Sequence, residues 1–168
     1  LPTRVSISPN GEIAAVTLSN SIINPEDKET WIELRNTKTG KLIDSYRGGT
    51  SVSSITWAPK GLKFSYMTSG KEGNTIWLKN ISGGKTDALL KNIENLKGYR
   101  WSPDGSFIIY SVGEKPSPDK SGVHRLDGMA DRLPGFNNRT YLYKLNLKDS
   151  GRTRLTAGNE STYLHDIS

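Results

Sequence analysis

A short turn sequence occurs three times in this chain of 168 residues, and no other feature constrains the fold as strongly. The copies are residues 7–11 (ISPNG), 57–61 (WAPKG) and 101–105 (WSPDG), and each lies between two short apolar segments. Their prolines recur at intervals of roughly 44–50 residues, close to the ~40–50 residues that a repeat unit of four strands occupies. The spacing therefore predicts a chain built from repeated four-stranded units.

The residues of this turn suit a tight hairpin. Proline sets φ near −65° at the second position, while serine and the Asp or Asn that follows proline can hydrogen-bond to the nearby backbone. Glycine then accommodates the left-handed conformation that returns the chain as a bulged hairpin. The second copy has Ala58 and Lys60 at the two side-chain acceptor positions but keeps the proline and the glycine. The residues expected to define the three turns are Pro9, Gly11, Pro59, Gly61, Pro103, Asp104 and Gly105.

The segments around the turns have the character of β-strands. Segments that follow a turn are almost continuously apolar, as in residues 13–16 and 107–110, which is typical of strands covered on both faces. No stretch shows the 3.6-residue apolar period of a helix. The pattern predicts an all-β chain. The expected strands are residues 4–8, 12–19, 30–37 and 41–47 in the first unit, 52–57, 62–68, 75–80 and 86–90 in the second, and 99–101, 107–112, 140–147 and 152–155 in the third.

Radially stacked four-stranded sheets of this kind form a β-propeller, whose closed rings have about four to eight blades. We therefore predict a β-propeller fragment of about three four-stranded antiparallel blades plus the first strand of a fourth. The expected blades are residues 3–47, 52–90 and 96–156, and residues 162–168 are expected to open the fourth. The sequence ends where a fourth turn would begin, so we expect this chain to be part of a longer polypeptide. Its apolar end faces predict contacts with the remaining blades or self-association.

Two long loops join the second and third strands of their units, at residues 20–29 and 113–139. Antiparallel strands reverse direction at every turn, so both loops are expected on the face of the ring opposite the Pro/Gly turns. Long insertions often carry function. This face is therefore the expected place for a partner.

The longer loop contains a cluster of charged residues. The planar fork of arginine suits either an ion-paired anchor for the loop or a recognition site for an acidic group. We favour the anchor, because exposed charges in loops are usually solvated or paired with each other. The cluster comprises His124, Arg125, Asp131, Arg132 and Arg139.

Composition argues against several classes of site. The net charge is +6, but the 17 acidic residues are interleaved with the 23 basic ones and no block of five like charges occurs, which disfavours a nucleic-acid partner. With no cysteine and two histidines, neither a disulfide nor a zinc site is expected. No apolar run approaches the roughly 20 residues of a membrane span. We expect no cofactor, no metal and no membrane span.

Two other features have structural explanations. His165 and Asp166 are adjacent, but neighbours on a strand point to opposite faces and cannot act together as partners of a catalytic triad. The four tryptophans are expected to pack between blades rather than bind a ligand, because of the large area that each must bury.

The repeat resembles a known family. The Ser-Pro-Asp-Gly turn, an apolar strand, a third strand such as residues 76–78 (IWL) and then residues 154–156 (RLT) resemble the WD40-like repeat of TolB-type propellers, over nearly the whole chain. Residues 131–136 (DRLPGF), 139–143 (RTYLY) and 163–168 (YLHDIS) look most like the N-terminal propeller of prolyl oligopeptidase-family serine peptidases, the dipeptidyl and acylaminoacyl peptidase group.

This resemblance implies a division of labour. In such peptidases the catalytic Ser, Asp and His lie on an α/β-hydrolase domain, and the propeller screens substrates by size. This chain contains no Gly-x-Ser-x-Gly motif, so no catalytic residue is assigned to it. The implied function is the non-catalytic propeller portion of a peptidase, which gates access of a peptide substrate and docks a hydrolase domain of the same parent chain. The alternative is a TolB-like protein-binding propeller without enzymatic activity. The resemblance also favours a periplasmic or extracellular location over a cytoplasmic one.

Overall fold

In the computed structural model, residues 2–20, 29–47, 52–114, 139–157, 161–165 and 167 are described. Within them the chain forms twelve β-strands and no helix, arranged as three antiparallel four-stranded sheets with the strands in chain order. This confirms the predicted all-β fold of three blades. The strands are β1 (Pro2–Ile7), β2 (Ile13–Ser19), β3 (Thr30–Asn36), β4 (Leu42–Tyr46), β5 (Val52–Trp57), β6 (Lys63–Gly70), β7 (Gly73–Asn80), β8 (Thr86–Ile93), β9 (Leu96–Trp101), β10 (Phe107–Gly113), β11 (Thr140–Asn146) and β12 (Arg152–Arg154).

The second and third blades are joined more tightly than the sequence suggested. β8 continues to Ile93 and β9 already begins at Leu96, whereas the expected strands were 86–90 and 99–101. Asn95 takes a left-handed φ of 53° in the short connection, a conformation that asparagine tolerates better than most residues. Gly98 interrupts the apolar pattern near the start of β9, which explains why the beginning of this strand was not recognised.

The segment expected to open a fourth blade is not a strand in its described residues, 161–165 and 167. It lies beside the third blade, where the Thr162 N–H donates to the Thr140 carbonyl at 2.9 Å. A first strand of a blade needs a second strand of the same blade as its hydrogen-bonding partner, and the described residues supply none here. The fourth blade therefore stays a prediction.

The Pro/Gly turns join the first and second strands of each blade. Gly11, Gly61 and Gly105 have φ values of 75°, 73° and 74°, in the left-handed region that glycine adopts at least cost. The Gly105 N–H donates to the Ser102 carbonyl at 2.9 Å, and Gly11 makes the equivalent bond to Ser8 at 2.8 Å. The turn sequence thus fixes the path from each first strand to its neighbour.

The side chains of Ser102 and Asp104 form hydrogen bonds within the third turn. The Ser102 Oγ accepts a hydrogen bond from the Phe107 N–H at 3.1 Å. The Asp104 Oδ1 accepts two, from the Ser106 N–H at 3.0 Å and from the Ser106 Oγ at 2.9 Å. Bonds from the Ser106 backbone, then from Ser102 and Ser106 side chains, stabilise the carboxylate and lower the pKa of Asp104 to about 2.

The blades pack face to face through two apolar clusters. In the first cluster, β2 and β3 of blade 1 pack against β5 and β6 of blade 2. In the second cluster, β6, β7 and β8 of blade 2 pack against blade 3. Trp57 lies in the first cluster and Trp101 in the second, whereas Trp31 and Trp77 are half-buried. The first cluster contains Ile13, Ala15, Ile32, Leu34, Ile55, Trp57 and Phe64, and the second contains Ala58, Met67, Ile76, Leu90, Leu96, Tyr99, Trp101, Ile108, Tyr110 and Leu145.

A buried serine links blade 2 to blade 3. The Ser65 Oγ accepts the Trp101 Nε1–H at 2.8 Å and lies 2.9 Å from the Tyr99 hydroxyl oxygen. It also lies 3.1 Å from the Thr56 carbonyl. The Tyr99 hydroxyl donates in turn to the Ser54 carbonyl at 2.7 Å. Ser65 is fully buried, so this small network satisfies polar groups that water does not reach.

We expect Ser65→Ala to destabilise the protein by about 1–3 kcal/mol, because it leaves the indole N–H of Trp101 buried without an acceptor. The measurement is denaturant unfolding followed by tryptophan fluorescence. Ser82→Ala, in the exposed β7–β8 turn, is the matched control. An equal free energy of unfolding for the two variants would contradict the assignment.

We also expect the Asp104 carboxyl to titrate at about 2 in the folded protein, and Ser106→Ala to raise that pKa by removing the hydroxyl donor. The folded pKa lies below the unfolded value of about 3.9, so the stability that Asp104 contributes is complete above the unfolded value and is lost as the pH falls through about 2. Carbon-13 NMR of the Asp104 carboxyl measures this pKa in the unmodified protein and in Ser106→Ala. An ordinary pKa, unchanged in Ser106→Ala, would show that the turn bonds do not form.

Candidate functional site

The first strands of the three blades lie side by side, since β5 contacts both β1 and β9. Each runs toward its Pro/Gly turn, so the starts of the first strands lie on the opposite face of the ring. That is also the face at which residues 20–29 and 113–139 leave their strands. A cavity of about 510 Å³ opens there between the blades.

The lining of this cavity comes from all three blades. β1 contributes Arg4, β5 contributes Ser54, and residues 97–100 of β9 form a continuous wall. The ends of β10 and β11 add Ser111 and Thr140, and the segment after the third blade adds Tyr163 and Leu164. The site therefore depends on blade packing, because no single blade forms it.

Each first strand carries a β-bulge or an equivalent irregularity at this cavity. The pairing of β1 with β2 skips Thr3, the pairing of β9 with β10 skips Lys97, and β5 departs from regular pairing between Ser53 and Thr56. Aligned on the turn prolines, Thr3 and Lys97 occupy the same repeat position, and the unpaired residues of β5, Ser54 and Ile55, lie one and two positions later. A bulge bends the strand and redirects its side chains. The three first strands are thus redirected within a few residues of one another, near the cavity.

The cavity carries positive charge. Arg4, Lys97 and Arg100 line it, and none of the described residues that line it is acidic. The guanidinium of Arg100 donates through Nη1 to the Tyr99 carbonyl at 3.0 Å. Burial raises the pKa of the Tyr99 hydroxyl, and the charges of Arg100 and Arg4 oppose that rise, so both cations act on the same buried phenol. Such an arrangement attracts anions.

The charged loop cluster predicted from the sequence falls mostly outside the described residues. His124, Arg125, Asp131 and Arg132 lie there, and so does Asp166 of the His165–Asp166 pair. Arg139 is described: it precedes β11, and its carbonyl accepts a hydrogen bond from the Glu114 N–H. Its role as anchor or recognition residue stays a prediction.

Other kinds of site have little support in the described part of the chain. No three metal-ligating side chains lie close enough together there to hold an ion. No helix of that part has the length and apolarity needed to cross a bilayer.

A second cavity, of about 350 Å³, lies at the opposite, turn-bearing end of the seam between blades 2 and 3. Trp101, Leu89 and Leu147 line it beside the turn residues Asp104 and Gly105.

One apolar face of blade 1 is uncovered. Ile7 occupies the repeat position of Trp57 and Trp101, yet it is 60% exposed whereas the tryptophans are 7% and 9% exposed. Val5 occupies the position of Ile55 and Tyr99, and it is 57% exposed against 3% and 1%. In blades 2 and 3 the preceding blade covers these two positions.

No protein-family model matches the sequence. No curated protein matches it either. Solved structures do match in their fold. An acylaminoacyl peptidase from Pyrococcus horikoshii superposes with a TM-score of 0.69 at 14% identity, over 92% of this chain and 25% of that one.

Two further structures are similar to this chain. TolB from Acinetobacter baumannii gives a TM-score of 0.60 at 16% identity, over 95% of this chain and 33% of that protein. The β-propeller domain of the Trilobed protease from Pyrococcus furiosus gives a TM-score of 0.60 at 12% identity, over 93% of this chain and 44% of that one. The chain thus spans between a quarter and less than half of these proteins. At such identities the likeness establishes the fold: three antiparallel blades that resemble those of TolB-type β-propellers.

Proposed function

We propose that this chain is the non-catalytic propeller portion of a prolyl oligopeptidase-like serine peptidase, which gates the access of peptides and docks a hydrolase domain of the same parent chain. The main support is the superposition on the acylaminoacyl peptidase, which extends over 92% of this chain. The cavity between the first strands adds support, because its ~510 Å³ lies in the range of roughly 300–1,000 Å³ typical of small-ligand sites. The long insertion at 113–139 also favours this proposal.

The proposal includes further blades of the same polypeptide. Their support is the exposure of Val5 and Ile7, at positions that are buried against a preceding blade elsewhere in the repeat. Apolar side chains of this size gain about 1.5–3 kcal/mol each when fully buried, so an uncovered face favours association. A closing blade would cover this face, and without one the chain is expected to self-associate through it.

The second candidate is a TolB-like binding propeller with no enzyme attached. Its support is the superposition on TolB, which covers 95% of this chain. In that case the loop-bearing face and its cavity would contact a protein partner. The two candidates differ in one testable respect, which is whether the parent polypeptide contains a reactive serine.

We expect the full polypeptide that carries these residues to react with a fluorophosphonate, and the modified serine to lie outside residues 1–168. The reason is that this chain lacks the nucleophile motif of the hydrolase domain. Mass spectrometry of the labelled protein locates the serine, and heat-denatured protein is the control for non-specific reaction. Absence of specific labelling in folded, full-length protein would reject the peptidase and leave the binding propeller.

A further inference from the structure

We propose that the cavity between the first strands binds the carboxylate of a peptide, and that Arg4 and Arg100 hold it with support from Lys97. This goes beyond the proposed function, because it assigns a ligand group and its residues whether or not a hydrolase domain accompanies the propeller. The charge of the cavity, the rigidity of its wall and its mixed lining support this assignment.

Some arginines of the described chain are neutralised by a neighbouring carboxylate, and others are not. Arg35 and Arg47 form ion pairs with Glu33 and Glu29, at 2.6 and 3.2 Å. Among the described residues, Arg4, Lys97 and Arg100 make no ion pair, and neither do Arg152 and Arg154. The first three, however, line one cavity whose described lining contains no acidic side chain. Like charges that line one cavity repel one another, and a bound anion would reduce that repulsion.

The wall that carries these charges is rigid. Tyr99, between Gly98 and Arg100 on β9, is 1% exposed and is bonded through its hydroxyl to the Ser54 carbonyl of blade 2. Ser54 itself has a φ of 53°, a left-handed conformation in a residue other than glycine. The cavity therefore has a floor that is fixed before any ligand arrives, which reduces the ordering cost of binding.

The lining favours a carboxylate on a short chain over a bare ion. A guanidinium offers a planar fork that matches the two oxygens of a carboxylate. Thr140, Tyr163 and Leu164 also line the cavity, and they can give polar and apolar contact surface to the atoms behind the carboxylate. A peptide supplies both parts, either at its C-terminus or at an acidic side chain.

The test is equilibrium binding to the full polypeptide, after any reactive serine has been blocked so that peptides are not consumed. Three dansylated probes separate the sources of the carboxylate: Ala-Ala-Ala with a free C-terminus, the same peptide as its amide, and Ala-Glu-Ala amide. We expect one of the two carboxylate peptides to bind at least ~10-fold more tightly than the tripeptide amide, with an affinity that falls as salt is raised. Equal binding of all three probes, or binding of inorganic phosphate in preference to both carboxylates, would overturn the proposal.

Substitutions then locate the site. Arg4→Gln and Arg100→Gln are each expected to weaken binding of the preferred carboxylate peptide by ~10-fold or more, whereas Arg4→Lys retains part of the affinity. Arg152→Gln removes the same charge from the exposed outer strand β12 and should bind like the unmodified protein. Both cavity arginines are exposed, so thermal unfolding should be little changed and serves as the folding check.

Binding by Arg4→Gln and Arg100→Gln equal to that of Arg152→Gln would reject the assignment. Because binding is measured without catalysis, failure of the peptidase proposal would leave this result intact.

Discussion

In blades 2 and 3, two side chains on the first strand pack into the preceding blade, and the arrangement of the described blades depends on this contact. Ile55 and Trp57 enter the cluster shared with blade 1, and the Trp57 Nε1–H donates to the Ser6 carbonyl at 2.9 Å. Tyr99 and Trp101 make the corresponding contact with blade 2, where both reach Ser65. Large aromatic groups bury much area while their polar atoms fix the orientation. Apolar burial thus holds the blades together, and the hydrogen bonds set their register.

The candidate site is a consequence of that packing. Because β5 packs on β1 and β9 packs on β5, these three first strands lie next to one another, and their irregularities all lie near one end. Tyr99 lines the cavity and its hydroxyl belongs to the inter-blade network, so blade packing and cavity shape are physically coupled. The loops at 20–29 and 113–139 leave their strands on this same face. A ligand in the cavity would therefore meet residues of several blades at once.

The sequence predicted what backbone chemistry determines locally, and it missed what pairing and packing determine. Proline and glycine restrict φ wherever they occur, so the turns and most strands were predictable from residues 7–11 and their two copies. The role of Ser65 was not, because a serine within a strand gives no sign that two aromatic groups from the next blade will bond to it. The bulge at Lys97 depends on the register between β9 and β10, which residue types do not reveal. Arg4 and Arg100 are far apart in sequence, so their approach to one cavity could not be predicted, whereas the charged cluster within residues 124–139 is local and was.

We propose that the face of blade 1 carrying Val5 and Ile7 is a blade-to-blade interface like the two that the structure contains. The most direct test is the alkylation rate of a cysteine placed at Val5 in the full polypeptide, located by mass spectrometry of the modified peptide. Ala15→Cys, buried between blades 1 and 2, and Thr39→Cys, in the exposed β3–β4 turn, provide the slow and fast references. We expect Val5→Cys to react as slowly as Ala15→Cys. A rate equal to that of Thr39→Cys would show that no blade covers this face and would reject the interface.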